Sequence, residues 1–260
     1  MFRRRKTLTP CEVKMKQVDL TLQSHLFSTY YQSIVTLMPG SDDQRQTFAI
    51  ELLNRPEPHE AFASSEHFYS FVASHGRSQE VDVYTIRLGL QRLLAHRSEL
   101  QEVADTARVF VNVHLSTLFS EPWTELLAHF PLDPHAVVLE LSEREGLAAY
   151  TQEEVLQKIH ALRQQGFQIA VDDVGIAYSG LYTLAMVHPE YVKIDRQLVS
   201  YIEKDAYRMY MMKALLAYWR QEGVAVIAEG IERKEEADFF AKEGAVYAQG
   251  YFFHRPARIE

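Results

Sequence analysis

The chain has 260 residues and a mass of 30.1 kDa, with 47% hydrophobic, 24% charged and 12% aromatic residues, a globular composition that excludes a disordered or collagen-like chain. Its 27 basic residues against 35 acidic give a formal charge of -8, which argues against binding duplex nucleic acid, although a bound cation would still admit a small phosphorylated ligand. No apolar run nears the roughly 18 residues that span a bilayer, and the lone Cys11 has no disulfide partner, so a soluble cytoplasmic protein that does not enter a membrane is expected.

Residues 1–26 open on Arg3-Arg4-Arg5-Lys6, but Thr7 to Lys16 lacks the apolar core of a signal peptide and reads as a solvated tail or a lead-in helix. Strands rich in branched and aromatic residues follow at Ser28 to Val35 and Phe48 to Leu53. The connection between them, Thr36 to Thr47, carries Pro39, Gly40 and two aspartates without apolar periodicity, too little for a parallel crossover, so these two strands should be antiparallel. Two helical segments fill Glu57 to Arg97. Further strands are expected at Val109 to His114, Val137 to Ser142, Gln168 to Val174, Tyr191 to Ile194, Val224 to Glu229 and Tyr247 to Phe253. Helical patterns at Gln152 to Gln165, Asp205 to Glu222 and Lys234 to Glu243, the last ending at Gly244, alternate with the later strands. Eight strands in this alternation predict a modified TIM-type (β/α)₈ barrel with an antiparallel first strand, as one domain over residues 27–258.

In such barrels chemistry sits at the C-terminal strand ends. Those ends carry Glu51, Asn112, Glu140 with Glu143 just beyond, Asp172-Asp173, Lys193, Glu229 and Gln249, each in an apolar setting such as Ile227-Ala228-Glu229. Converging carboxylates repel one another unless cations neutralise them. An all-oxygen donor set suits hard divalent ions such as Mg²⁺ or Mn²⁺, and two such ions can clamp an in-line phosphoryl displacement. His59-Glu60 opens no zinc motif, because Ala63 stands at the closing position of HExxH. The helix Asp205 to Glu222, with Met209, Met212, Tyr207, Tyr210, Tyr218 and Trp219, is expected to pack into the core.

These strand ends carry a family resemblance. Glu51-Leu52-Leu53-Asn54-Arg55 resembles the E-x-L-x-R signature of the EAL-domain phosphodiesterases, which hydrolyse the bacterial second messenger cyclic di-GMP to linear pGpG. Tyr31-Gln32-Ser33-Ile34-Val35, Val111-Asn112-Val113, Glu140-Leu141-Ser142-Glu143, Asp172-Asp173-Val174-Gly175, Lys193-Ile194-Asp195-Arg196, Ala228-Glu229-Gly230-Ile231-Glu232 and Gln249-Gly250-Tyr251-Phe252 are similar to seven further motifs of that family, in order. The resemblance implies one metal on Glu51, Asn112, Glu140 and Asp172, and a second on Asp172, Asp173 and Glu229. It also implies that Lys193 serves the attacking water, Gln249 orients water or substrate, Arg55 binds a phosphate, Gln32 binds a guanine edge and Glu143 braces the loop after the fifth strand. Asp195-Arg196 is expected to be a structural ion pair at the barrel rim. A homodimer is expected by the same resemblance, to which the aromatic helix Asp205 to Glu222 could contribute. Regulation is expected from that interface or from a separate protein partner.

The loop after the fifth strand departs from the family pattern at Val174, Ile176 and Ala177, where Phe, Thr and Gly are usual. Ala lacks the backbone freedom of Gly, and Ile lacks a hydroxyl. This departure favours an alternative, a weakly active or non-catalytic cyclic di-GMP receptor acting through a protein partner.

Overall fold

Alternation along each strand sends one set of side chains into the barrel and the other toward the helices. The computed structural model describes residues 8–38, 46–100, 108–142, 150–175 and 180–259. Strands β1 (Phe27–Thr36) and β2 (Thr47–Pro56) are antiparallel, with Gln32 opposite Glu51. Then β3 (Arg108–Val113), β4 (Val137–Ser142), β5 (Gln168–Val174), β6 (Tyr191–Ile194), β7 (Ala225–Ala228) and β8 (Tyr247–Ala248) each lie parallel to the strand before. Strand β8 closes on β1 in antiparallel register, so eight strands make a modified TIM barrel with β1 reversed.

The last expected strand, Tyr247 to Phe253, is cut to two residues because the backbone turns at Gly250, where the amide of His254 donates back to the Gly250 carbonyl at 3.0 Å. The edge of β1 left open by so short a β8 is taken by β9 (Ala257–Ile259), which pairs with Thr29 to Tyr31 and was not expected.

The outward side chains of β3 and β4, including Val109, Val111, Leu139 and Leu141, pack under the helices against Leu90, Trp123 and Leu162. Those helices are α2 (Ser65–Ser74), α3 (Ser78–His96), α4 (Leu115–Leu118), α5 (Glu121–Ala128), α6 (Gln152–Gln164), α7 (Gly180–Val187), α8 (Arg196–Val199), α9 (Ala206–Gln221) and α10 (Lys234–Glu243). Ahead of them, α1 (Pro10–Gln23) is the lead-in helix, the second of the two expected alternatives for this segment. Thr9 and Glu12 form a reciprocal cap at its start, and Val18 and Leu22 bury against Phe27, Phe68 and Val81. On α9, Met212, Leu216 and Trp219 enter the core, while Tyr207 and Tyr210 stay 81% and 75% exposed, so the aromatic excess of this helix faces outward.

Inside the barrel, Ile34, Ala49, Phe110, Val138, Ala170, Tyr191 and Ile227 form a closed apolar layer. Below it, Phe48 stacks on Tyr247 at 3.7 Å, and Arg108 lies over Phe48 while donating to Gln168 Oε1 at 2.7 Å. Among the described residues, no helix is long and apolar enough to cross a membrane.

Candidate active site

Two residues farther along each strand, the same alternation replaces this apolar floor with polar groups. Ala49 is followed by Glu51, Phe110 by Asn112, Val138 by Glu140, Ala170 by Asp172, Tyr191 by Lys193 and Ile227 by Glu229; on reversed β1 the counterpart of Ile34 is Gln32. The barrel therefore carries a polar layer on an apolar one, where Glu51, Asn112, Glu140, Asp172, Lys193, Glu229 and Gln249 come together.

Lys193, 1% exposed, stands at the centre. Its Nζ lies 2.6 Å from Glu140 Oε1, 2.8 Å from Glu229 Oε1, 3.3 Å from Glu51 Oε2 and 3.5 Å from Asp172 Oδ1. Glu51 also accepts from Asn112 Nδ2 at 2.9 Å and from Gln249 Nε2 at 2.7 Å. Asp173 joins from the rim, with a carboxylate oxygen within 4.8 Å of ligand atoms of Asp172 and Glu229. Consecutive strand residues ordinarily point to opposite faces. Here the register of β5 slips between Val171 and Val174, and Asp173 adopts φ 57°, so both aspartates reach one side.

One ammonium faces five carboxylates, and the protonation equilibria register the imbalance. Burial pushes Glu140 well above the usual carboxylate range, with the charge of Glu51 adding and Lys193 opposing. Glu229 is raised in the same way by burial, against Lys193 and with Asp172 and Glu51. Burial also raises Asp172. For Glu51, burial is outweighed by Lys193 and by the hydrogen bonds from Gln249 and Asn112, which hold it below its ordinary value. Burial would lower Lys193, but Asp172, Glu140, Glu229 and Glu51 together keep it well above its own.

Among the described residues, Glu140 Oε2 and Gln249 Oε1 are buried without a hydrogen-bond donor, and Asp172 Oδ1 has only the 3.5 Å approach of Lys193. Buried acceptors left in this state are costly. An all-oxygen donor set with excess negative charge and unused acceptors fits divalent cations such as Mg²⁺ or Mn²⁺.

The layer opens on a cavity of about 750 Å³, lined by Asn54, Arg55, Asn112, Asp172 and Asp173 and walled by α2 and α3. That volume is in the range of small-molecule sites. Arg55 is exposed on the wall, with its guanidinium 4.8 Å from the Tyr30 ring centre. Gln32 lies deeper; its Nε2 donates to the His254 carbonyl at 2.8 Å and its Oε1 accepts from Gln249 at 3.2 Å. Glu143, Ile176 and Ala177 lie outside the described residues. The expected pair Asp195-Arg196 is not made: Asp195 caps α8 through the Gln197 amide, and Arg196 pairs with Glu232 at 2.9 Å.

Sequence reading missed Asp82. Its buried carboxylate accepts from the His114 amide at 2.8 Å and from Thr117 Oγ1 at 2.7 Å, fixing the turn that follows Asn112. The signal was available, an acid between Val81 and Val83, but it stands on a helix, where strand-end logic does not look.

Gly250 fixes the turn after Gln249. A Cβ there would lie 2.1 Å from the Ile231 carbonyl oxygen and 2.3 Å from its nitrogen, and backbone cannot yield as a side chain can. Gly250→Ala is therefore expected to destabilise the protein by about 1–3 kcal/mol, measured by urea unfolding, and an unchanged midpoint would contradict this packing.

The EAL domain model matches residues 15–256. The chain belongs to the EAL domain family. A probable cyclic di-GMP phosphodiesterase of Escherichia coli K12, PdeG, is 27% identical over 253 residues, covering 96% of this chain and 48% of PdeG. The chain spans about half the length of the curated relatives it matches. Among solved structures, the EAL enzyme Bd1971 in its cAMP- and cyclic di-GMP-bound form superposes with a TM-score of 0.79 at 22% identity, over 96% of this chain and 67% of Bd1971. Klebsiella pneumoniae BlrP1, in a complex with manganese and cyclic di-GMP, does so with a TM-score of 0.66 at 26% identity, over 90% of this EAL chain and 56% of BlrP1.

Proposed function

We propose that this EAL domain hydrolyses cyclic di-GMP to linear pGpG with the help of two divalent cations, Mg²⁺ or Mn²⁺. The observation that carries the reading is the buried carboxylate layer around Lys193, short of positive charge and holding unused oxygens, at the foot of a cavity sized for a dinucleotide. Glu51, Asn112, Glu140 and Asp172 would hold one ion, and Asp172, Asp173 and Glu229 the other. Bound there, the ions would balance the carboxylates, polarise a phosphoryl oxygen and acidify a water.

The chain's own groups supply the rest. Arg55, on the cavity wall, forks onto a phosphate oxygen and orients the diester. Gln32 and Gln249, linked to each other at the barrel mouth, orient a guanine edge and the water beside it. Lys193 positions the attacking water and stabilises the charge that develops on the phosphoryl oxygens, and the proton of that water ends on the leaving ribose oxygen.

Incubation of the purified protein with cyclic di-GMP and Mn²⁺ is expected to yield pGpG, with none formed when EDTA is added. Cyclic di-GMP that binds but stays intact under these conditions would replace the enzyme by the receptor reading. If it neither binds nor is cut, both readings fall.

A further inference from the structure

Glu236, on the first turn of α10, has no part in the chemistry above, yet it is 2% exposed and both of its oxygens are engaged. Its Oε2 accepts from the backbone amides of Glu232 at 3.0 Å and Arg233 at 3.1 Å, in the loop that leaves β7 behind Glu229. Its Oε1 reaches across to the amide of Tyr201 at 2.9 Å, in the segment that follows Lys193. A glutamate at this helix position ordinarily reaches back only to the amide of its own cap. Here the same carboxylate ties a second loop.

Other contacts converge on the seam. Arg196 pairs with Glu232 at 2.9 Å, and Arg233 pairs with Glu203 at 2.6 Å. The Glu229 amide donates to the Ile194 carbonyl at 3.0 Å. Gly230, at φ 63°, lies so close to Arg196 that a Cβ would come within 2.6 Å of its side chain. Two pairs and a steric contact hold the rims of the loops, and Glu236 is the buried group between them. Lys193, on β6, and Glu229, just past β7, are 2.8 Å apart and stand at the strand ends from which the two tied segments run.

We propose that Glu236 is a positioning residue that holds Glu229 and Lys193 in register for cation binding. The inference rests on the two-cation reading above. Its test is Mn²⁺ titration by calorimetry on the intact chain, with hydrogen exchange at the Tyr201, Glu232 and Arg233 amides. In Glu236→Ala, one of two Mn²⁺ sites is expected to weaken about 10–100-fold, the other to stay unchanged, and the three amides to lose protection. Glu236→Gln keeps an acceptor for the Glu232 and Arg233 amides and is expected to restore most of the affinity. Glu236→Asp, one methylene too short to reach both loops, serves if the alanine variant does not fold, and is expected to weaken the same site.

A folded alanine or aspartate variant with wild-type Mn²⁺ affinity overturns the positioning role and leaves the two-cation reading standing. Wild-type protein that binds no Mn²⁺ overturns both.

Discussion

Lys193→Ala is expected to lower kcat by about 10²–10³-fold and to destabilise the metal-free protein by about 3–5 kcal/mol at neutral pH. Both effects have one source. The ammonium is within 3.5 Å of four carboxylates and is the one cationic side chain among the described residues of that layer. Removing it leaves buried negative charge with no compensation, and burial then drives Glu140, Glu229 and Asp172 farther above their ordinary values.

The pH dependence has a definite sign. A carboxyl raised in the folded state holds its proton over the range from the unfolded value of 4.5 up to the folded one. Across that range the folded variant binds more protons than the unfolded chain, so its stability increases as pH falls. Urea unfolding in EDTA should therefore show a deficit against wild type that shrinks in mild acid. Excess Mn²⁺ should shrink it as well. A variant with normal kcat and only a raised KM would mean that Lys193 binds phosphate and nothing more.

Glu51→Gln should act chiefly on cation binding and turnover. The variant is expected to have no measurable pGpG release, with Mn²⁺ affinity reduced by at least the roughly 10–100-fold that an outer partner of a metal ligand costs. The glutamine oxygen can serve one of the donors Asn112 and Gln249, and its amide N–H₂ then confronts the other. Against that loss, a negative charge leaves a crowded layer, and Lys193 keeps Glu140 and Glu229. Because the ionised Glu51 is favoured in the folded state, the metal-free variant should still unfold earlier than wild type, though by less than Lys193→Ala does. A loss of metal-free stability as large as that of Lys193→Ala would show that Glu51 is held for structure, and undiminished turnover would sink its assignment to the site.

Much of this arrangement was legible because β-strands report their inner face in the sequence. Asn112 two residues after Phe110, Glu140 two after Val138 and Glu229 two after Ile227 each announce a polar layer above an apolar one. The reversed β1 was legible because a short connection cannot cross over. What escaped depends on contacts between elements remote in sequence. Nothing local says that Lys193 stands among four carboxylates, since the stagger of neighbouring strands decides which ends meet. Nor does it say that Arg196 turns to Glu232 and leaves Asp195 to cap a helix. Strand β9 was hidden for a similar reason: Ala257–Ile259 is a strand only because β8 ends early and leaves part of β1 without a neighbour. Gln32 was expected on a guanine edge from its motif, but its ties to His254 and Gln249 are visible only in three dimensions.

The apolar floor, closed by Phe110 and Tyr191 and backed by the stack of Phe48 on Tyr247, makes the barrel a tube sealed at one end. On the proposed reading, cations, water and cyclic di-GMP would share the cavity above that floor, and pGpG would leave by the way its precursor entered. Occupancy is then exclusive: a spent molecule that lingers blocks its successor, so accumulating pGpG should slow the reaction competitively, and the wall residues that release it should govern throughput once the chemistry is fast.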